Sequence, residues 1–223
     1  NYWGGNLMWH YVEQEKGKYV IDPVSDLAVD EASKNGIEVI MGLEYGNWLY
    51  ADPPRPNLQN QFDPILMDPP PAPTTPEQIE AYKNWVRFMV NHFKDRITWW
   101  EIWNEPGTSS WRYGFGGDRA GARNYASLIK AVVPLIKQIQ PHAKVMVSNA
   151  YWPWPVFREE VFRHVVDLID GFELHVRVYE WSLDGEQYRN LPNQIVQNKK
   201  EAEDMGYDGI YLSQENQWFP EPN

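Results

Sequence analysis

The hydrophobic pattern of the chain alternates between two periods. Short apolar runs are typical of strands, and longer stretches with apolar residues every three or four positions are typical of helices. The strand candidates are Asn6–Tyr11, Ile37–Leu43, Ile97–Asn104, Lys144–Asn149, Gly171–Tyr179 and Gly209–Gln214. The helix candidates are Ser25–Asn35, a helix that begins at Thr75, Asp118–Gln140, Val156–Leu168 and Gln194–Met205. This repeated order of strand and helix predicts βα units and a parallel sheet.

Alternation within the strands shows which residues share a face. Consecutive strand residues point to opposite faces, so Glu173, His175 and Arg177 share one face of their strand. Glu101 and Glu105 likewise share a face. Because unpaired buried charge is costly, these polar rows need partners or a wet cavity. A barrel provides such a cavity at the carboxyl ends of its strands, whereas a doubly wound sheet usually carries a Gly-rich phosphate turn, which is absent here. The sequence therefore predicts the α/β class and a TIM-type (β/α)8 barrel.

Composition restricts the class of partner. The 223 residues include 20 Lys and Arg against 31 Asp and Glu, a formal net charge of −11. An acidic surface repels phosphate backbones and anionic lipid, so we expect neither nucleic acid nor a membrane as partner. Cysteine is absent, which excludes disulfides and thiolate metal sites. The 12 Trp and 13 Tyr favour a ligand that is flat, partly apolar and partly polar, such as a sugar.

The stretch WEIWNEP, residues 100–106, is the strongest chemical signal. It places Glu105 at the end of a strand, before Pro106, whose fixed φ suits a sharp exit from the strand. A second strand candidate, Gly209–Gln214, is followed directly by Glu215. Two carboxyl groups that flank a glycosidic bond can cleave it, since one protonates the leaving oxygen while the other attacks the anomeric carbon or activates water. Asn104 can hydrogen-bond a sugar hydroxyl.

These motifs resemble those of clan A glycoside hydrolases, which are retaining (β/α)8 barrels, and in combination they are most similar to family 39. WEIWNEP resembles the strand-4 signature of the clan, residues 212–218 (LSQENQW) its strand-7 segment, and residues 12–27 its strand-2 exit. The resemblance implies Glu105 as the acid/base, Glu215 as the nucleophile and Asn104 as the ligand of the 2-hydroxyl. It covers strands 2 to 7 and leaves strands 1 and 8 without a match. We therefore expect residues 1–223 to form a single, incomplete barrel domain or a large fragment of one.

Further binding residues are expected around the barrel mouth. The clan usually ends strand 6 with a His and a nearby Tyr, and here the strand offers His175 and Tyr179, of which Tyr179 is the favoured partner of Glu215. A hydrogen-bonded core histidine is the alternative for His175. Three tryptophans follow strand ends and are candidates for stacking on sugar rings, with loop packing as the alternative: Trp48, Trp152 and Trp218. Trp218, close after the proposed nucleophile, is favoured for the subsite where cleavage occurs.

The predicted function is retaining hydrolysis of a β-linked oligo- or polysaccharide by double displacement, with no cofactor and no metal. Retention requires the two carboxyl groups to lie about 5–5.5 Å apart. Polysaccharide substrates suit an extracellular or periplasmic location. One alternative is a catalytically inactive carbohydrate-binding relative or barrel fragment, which would keep the tryptophans without needing both glutamates. A barrel enzyme with a carboxylate-bound metal is the other, and the scarcity of paired His disfavours it. The sugar, endo or exo action and the oligomeric state are left open by the sequence.

Overall fold

A computed structural model describes residues 7–57, 70–107, 114–148, 155–178 and 186–217 of the chain. For residues 155, 174–178, 186–191, 194 and 211–217 it describes the backbone alone. The helices are α1 Trp9–Val12, α2 Pro23–Lys34, α3 Pro76–Phe93, α4 Arg119–Ile139, α5 Pro155–Val165 and α6 Glu186–Asp204. The strands are β1 Glu13–Glu15, β2 Lys18–Tyr19, β3 Ile40–Leu43, β4 Trp99–Ile102, β5 Lys144–Ser148, β6 Gly171–Val178 and β7 Ile210–Gln217. Short 3-10 turns lie at Trp48–Tyr50 and Val166–Leu168.

Strands β3 to β7 form one parallel sheet in sequential order, and β1 pairs with β2 in a separate antiparallel hairpin. A helix follows each of β3 to β6 and leads to the next strand of the sheet. Sequential order without reversal is the topology of a (β/α)8 barrel, because a doubly wound sheet reverses its strand order at a switch point. The five strands are those predicted from Ile37 onward, and the prediction of an incomplete (β/α)8 barrel is confirmed.

The predicted strand Asn6–Tyr11 is wrong. The described part of this segment enters helix α1, and the N–H of Trp9 donates to the carbonyl of Glu44 at 2.8 Å. Trp9 is buried and stacks on Trp85 of α3. The alternation that suggested a strand therefore reflects the burial of a single helical turn docked on the end of β3. Of the predicted strands 2 to 7, the described sheet contains the last five.

Local signals in the sequence account for the helix ends. Thr75 caps α3 in a capping box. Its hydroxyl accepts from the N–H of Gln78, and its own backbone N–H donates to the side-chain oxygen of Gln78. Helix α2 begins two residues before the predicted Ser25, because Asp22 caps it and accepts from the Ser25 N–H at 2.9 Å. Gly36, which follows this helix, takes the left-handed conformation that glycine permits, with φ +70°.

The two rows of β4 face different environments. Trp100 belongs to the outer row, since its indole N–H donates to Gln140 at the end of α4 at 2.8 Å. The helix positions that pack towards this row are fully buried: Tyr82, Val86, Met89 and Phe93 of α3, and Leu128, Val132 and Ile136 of α4. Glu101 alternates with Trp100 within β4 and therefore occupies the inner row of the sheet. The register continues this inner row through Met146 of β5.

The register of β6 and β7 decides which rows of these strands are neighbours. Glu173 pairs with Leu212, and Gly171 pairs with Ile210. Residues paired in a parallel register lie on the same face of the sheet. The polar row of β6 that contains Glu173 therefore lies beside the row of Leu212 in β7, and alternation within each strand alone did not determine this.

Candidate active site

The carboxyl ends of β3 and β4 bring two loop segments together, residues 44–47 and residues 103–107. The N–H of Trp103 donates to the carbonyl of Leu43 at 3.2 Å, so β4 stays bonded to β3 one residue beyond its formal end. The hydroxyl of Tyr82 on α3 donates to the same carbonyl at 2.6 Å. The segment that carries the predicted acid/base is thus anchored to both the neighbouring strand and a covering helix.

Glu105 is buried in an uncommon backbone conformation. Glu105 is only 5% exposed, and its φ is +47°. Trp103, two residues earlier, has φ +65°. A non-glycine residue in the left-handed region costs about 1–3 kcal/mol, and such residues cluster at functional sites. The two residues reverse the direction of the chain on either side of Asn104, so the strand end becomes a tight turn.

Asn104 combines a fixed amide with an available oxygen. Its Nδ2 donates to the hydroxyl of Tyr45 at 2.9 Å, and the residue is 2% exposed. Its Oδ1 is buried and has no hydrogen-bond partner among the described residues. An unsatisfied buried carbonyl is costly, so this atom is suited to accept a hydrogen bond from a ligand hydroxyl. Tyr45 was missed by the sequence analysis, although it follows β3 much as Asn104 follows β4.

For the predicted site residues of the later strands the structure describes either the backbone alone or nothing. In the β6–β7 register His175 pairs with Gln214, and Glu215 pairs with Val176. Their side chains are not among those described, so the predicted distance between the Glu105 and Glu215 carboxyl groups stays a prediction. The remaining predicted site residues lie outside the described part of the chain: Tyr179, Trp152 and Trp218.

Trp48 lies in the 3-10 turn that follows β3, as its predicted place near the mouth requires. The guanidinium carbon of Arg55 lies 3.4 Å from the centroid of its ring. This cation–π contact covers one face of the indole. The backbone N–H of Trp48 donates to Asn57 at 3.1 Å, which fixes the turn. Only the opposite face of Trp48 is therefore open to the predicted stacking on a sugar.

A buried carboxylate organises the loops beside this turn. Glu13 is fully buried and accepts three hydrogen bonds of 2.6 Å, from the indole of Trp9, the N–H of Gly17 and the hydroxyl of Tyr50. The amide of Asn47 donates to the Glu13 carbonyl at 3.0 Å. Burial and the adjacent Glu13 raise the pKa of Tyr50 above its ordinary value, so its hydroxyl remains a donor. This network fixes the β1–β2 hairpin to the loop after β3, and contacts this distant in sequence left no local signal.

Three further carboxyl groups lie at the inner row of the sheet, beneath the turn at Asn104. Glu101 is fully buried, and Glu173 and Glu44 are nearly so. Burial raises the pKa of Glu101 well above its ordinary value, and the neighbouring Glu173 and Glu44 add to the effect. Burial and the two neighbouring carboxyl groups therefore favour the protonated form of Glu101. A Cβ on Gly42 would lie 2.5 Å from Glu44 Oε1, so a larger residue here would displace this carboxyl group.

His10 is a second buried group with an altered charge state. It is 2% exposed, and neither ring nitrogen has a hydrogen-bond partner among the described residues. Burial lowers the pKa of His10 to about 4, and the backbone of Gly46 raises this pKa by a smaller amount. The imidazole beside the loop after β3 is therefore neutral at neutral pH. Because burial sets this charge state, the pattern of neighbouring residues does not predict it.

The fold and the site together define a class of protein. Consecutive parallel βα units place a buried Asn-Glu-Pro turn at the carboxyl end of one strand, and a later strand carries Glu215. This is the arrangement of a clan A glycoside hydrolase barrel. Residues 6–200 match the family model for cellulase, glycosyl hydrolase family 5, and the chain belongs to that family. The predicted resemblance to clan A is thereby confirmed.

Solved structures show a similar fold. A family 39 glycoside hydrolase from Bacteroides cellulosilyticus WH2 is 25% identical with a TM-score of 0.58, and the match covers 78% of this chain and 32% of that one. This likeness confirms the family 39-like character of the fold. Xylanase B from Clostridium stercorarium F9 is 18% identical with a TM-score of 0.53, covering 92% of this chain and 60% of its own. Fungal β-1,4-galactanase is 16% identical with a TM-score of 0.56, covering 94% and 60%.

The chain spans about a third of the length of the family 39 structure that it matches. No curated protein matches the sequence. Within the described ranges, no helix is long and apolar enough to cross a membrane. The same ranges contain no group of three or more His, Asp or Glu side chains arranged to hold a metal ion.

Proposed function

We propose that this chain supplies the catalytic face of a retaining glycoside hydrolase that cleaves a β-linked oligo- or polysaccharide. One observation carries the proposal. The Asn104–Glu105 turn is buried at the carboxyl end of β4, held in left-handed backbone, with an Asn104 carbonyl oxygen that has no hydrogen-bond partner among the described residues. Such a turn presents an acid and a hydroxyl acceptor side by side, which is what cleavage of a sugar linkage requires.

The proposed reaction has two displacements. In the first, Glu215 attacks the anomeric carbon and forms a glycosyl ester, while Glu105 gives its proton to the departing glycosidic oxygen. In the second, Glu105 removes a proton from water, the water oxygen attacks the anomeric carbon, and the Glu215 carboxylate is released. Asn104 accepts a hydrogen bond from the sugar hydroxyl next to the anomeric carbon. His175 and Tyr179 from strand β6 and its exit are proposed to bind the sugar or orient Glu215.

The nucleophile assignment rests on position in the chain. Glu215 is the sole carboxylate of β7, and β7 is three strands beyond the strand that carries Glu105. Double displacement needs its carboxyl group on the Glu105 side of the sheet, about 5–5.5 Å from the Glu105 carboxyl group. The backbone register pairs Glu215 with Val176, which alternates with Glu173, so the proposal also requires the end of β7 to turn this carboxyl group towards the Glu105 side.

Azide rescue tests both roles. Glu215→Ala should abolish hydrolysis of an activated aryl β-glycoside, and azide should restore turnover with formation of the α-glycosyl azide. Glu105→Ala should retain the first displacement on the same substrate and yield the β-glycosyl azide. Glu203→Ala, at an exposed helix position, is the matched control and should behave as wild type. An active wild type without rescue of Glu215→Ala would discard this nucleophile.

The substrate class is part of the proposal. Two of the similar structures are a xylanase and a β-1,4-galactanase, so xylan and β-1,4-galactan are the first compounds to screen. Polysaccharide substrates favour an extracellular or periplasmic location. A sugar-binding barrel without catalysis is the second candidate, favoured by the small share of the family 39 structure that the chain spans. Binding of these glycans by calorimetry, without release of reducing ends at high enzyme concentration, would establish the second candidate.

A further inference from the structure

Ser148, the last residue of β5, contacts the backbone of Glu105. The N–H of Glu105 donates to the Ser148 hydroxyl oxygen, with 3.3 Å between the two atoms. Ser148 is 3% exposed and lies on the inner row of the sheet, in register with Glu173. The contact therefore occurs inside the barrel mouth, in the layer directly beneath the Asn104–Glu105 turn.

Sheet geometry shows that this contact requires the unusual backbone. Ile102 pairs with Val147, so Ser148 stands beside Trp103 in the register. In an extended chain, Glu105 would lie two residues, or about 6.6 Å, further along the strand direction. The left-handed φ values of Trp103 and Glu105 turn the chain back, and this brings the Glu105 N–H to Ser148.

The Glu105 N–H needs an acceptor in this buried position. The next contact along the chain, from the Phe115 N–H to the Pro106 carbonyl at 2.7 Å, closes the loop beyond Glu105. The Glu105 N–H itself donates to Ser148 of β5. A buried backbone N–H without a partner would favour relaxation of the turn towards ordinary φ values. That relaxation would move Cα, and with it the direction of the carboxyl group.

We infer that Ser148 is a positioning residue, which acts through the Glu105 backbone to aim the carboxyl group at the glycosidic oxygen. This inference rests on the proposed function, since it assigns Ser148 a part in the step that Glu105 performs. Ser148 does not touch the sugar in this scheme. Its hydroxyl stabilises the backbone of the Asn104–Glu105 turn, and this backbone sets the direction of the Glu105 carboxyl group.

The chemistry of leaving groups separates this role from a purely structural one. Protonation by Glu105 matters most when the departing oxygen is a poor leaving group, such as a sugar hydroxyl, and least when it is an activated phenol such as 2,4-dinitrophenol. Ser148→Ala should therefore lower kcat/KM, which reports the first displacement, by about tenfold or more on an unactivated oligosaccharide and by less than about threefold on the activated glycoside. On the activated glycoside kcat and KM should fall together, because the second displacement then limits turnover and also needs Glu105 as its base.

Two further variants complete the experiment. Ser148→Thr keeps the hydroxyl acceptor and should recover most of the kcat/KM lost on the unactivated oligosaccharide. Ser148→Cys offers a weaker acceptor of similar size and should give the same leaving-group dependence, which also serves if the alanine variant does not fold. Ser127→Ala is the matched control, because its hydroxyl bonds only to the Arg123 carbonyl of an exposed helix face in the described structure, at 2.8 Å.

Measurement of Glu105→Gln alongside keeps the two claims distinct. If Glu105→Gln shows the leaving-group dependence and folded Ser148 variants do not, the inference about Ser148 is wrong and the proposed function stands. If Glu105→Gln shows no such dependence, the acid/base assignment itself fails. Equal losses of kcat/KM on both substrates in Ser148→Ala and Ser148→Cys would show a general disturbance of the site and overturn the positioning role.

Discussion

Replacement of His10 by Gln should make the stability of the protein less sensitive to acid. His10 is buried beside the loop after β3, its ring 4.2 Å from that of Tyr11 between centroids, and burial lowers its pKa to about 4. In the unfolded chain the imidazole has its ordinary pKa of about 6.5. Between these values the unfolded state binds a proton that the folded state does not.

The size of the effect follows from the two pKa values. A group whose folded pKa is depressed leaves stability unaffected above its unfolded pKa, and stability is lost as the pH falls from about 6.5 to about 4. The complete loss is about 3 kcal/mol, since each pKa unit corresponds to about 1.4 kcal/mol. Between about pH 7.5 and about pH 5 the expected loss is about 2 kcal/mol. Gln has no proton to bind, so His10→Gln should lack this contribution.

Urea unfolding at the two pH values measures the difference. The free energy of unfolding of wild type should fall by about 2 kcal/mol more than that of His10→Gln over this interval. Any constant cost of the substitution cancels, because the comparison is between two pH values for each protein. His142→Gln, at an exposed histidine, should keep the wild-type slope. Parallel pH profiles for wild type and His10→Gln would refute the inference that the folded state buries a neutral imidazole.

Three other substitutions test the buried carboxyl groups and the helix cap. Glu101→Gln should gain stability relative to wild type as the pH rises above about 4.5, because the raised pKa keeps a proton on folded Glu101 that the unfolded state releases; thermal melts at low and high pH check this, and a constant difference would contradict it. Glu13→Gln should lower the free energy of unfolding by about 2 kcal/mol or more, since an amide cannot accept all three hydrogen bonds; a loss below about 0.5 kcal/mol would show that this network contributes little. Thr75→Ala should cost about 1 kcal/mol through loss of the capping box, and Thr74→Ala, whose hydroxyl makes no cap, serves as its control in urea unfolding.

Features encoded within a few residues of each other could be predicted. The capping box at Thr75 and the C-terminal Gly36 are read from adjacent positions, and both are found in the structure. The same holds for β4, where Trp-Glu-Ile-Trp alternates between two rows and ends on Asn-Glu-Pro. The clan and the incomplete barrel followed from the strand-end motifs, since each combines local geometry with a specific chemistry.

Features that depend on distant contacts could not be predicted. The segment around Trp9 was expected as a strand because burial on one helical turn and alternation on a short strand give similar patterns. Tyr45 holds Asn104 across 59 positions of sequence, and no spacing rule indicates such a contact. Alternation also shows which residues share a face within β6 or β7, but only the register shows that Glu173 stands beside Leu212.

The strain of the turn that carries Glu105 is offset by the burial of Trp103, two residues earlier in the chain. Two non-glycine residues with positive φ cost about 2–6 kcal/mol together. Trp103 is fully buried, with its ring 5.6 Å from that of Tyr45 and 5.0 Å from that of Phe115 between centroids. Burial of about 150–250 Å² of indole surface contributes about 4–6 kcal/mol, which offsets the strain. Replacing Trp103 by a small residue should therefore relax the backbone of the turn as well as open a cavity. We expect the Glu105 carboxyl group to be displaced in a variant that is still folded.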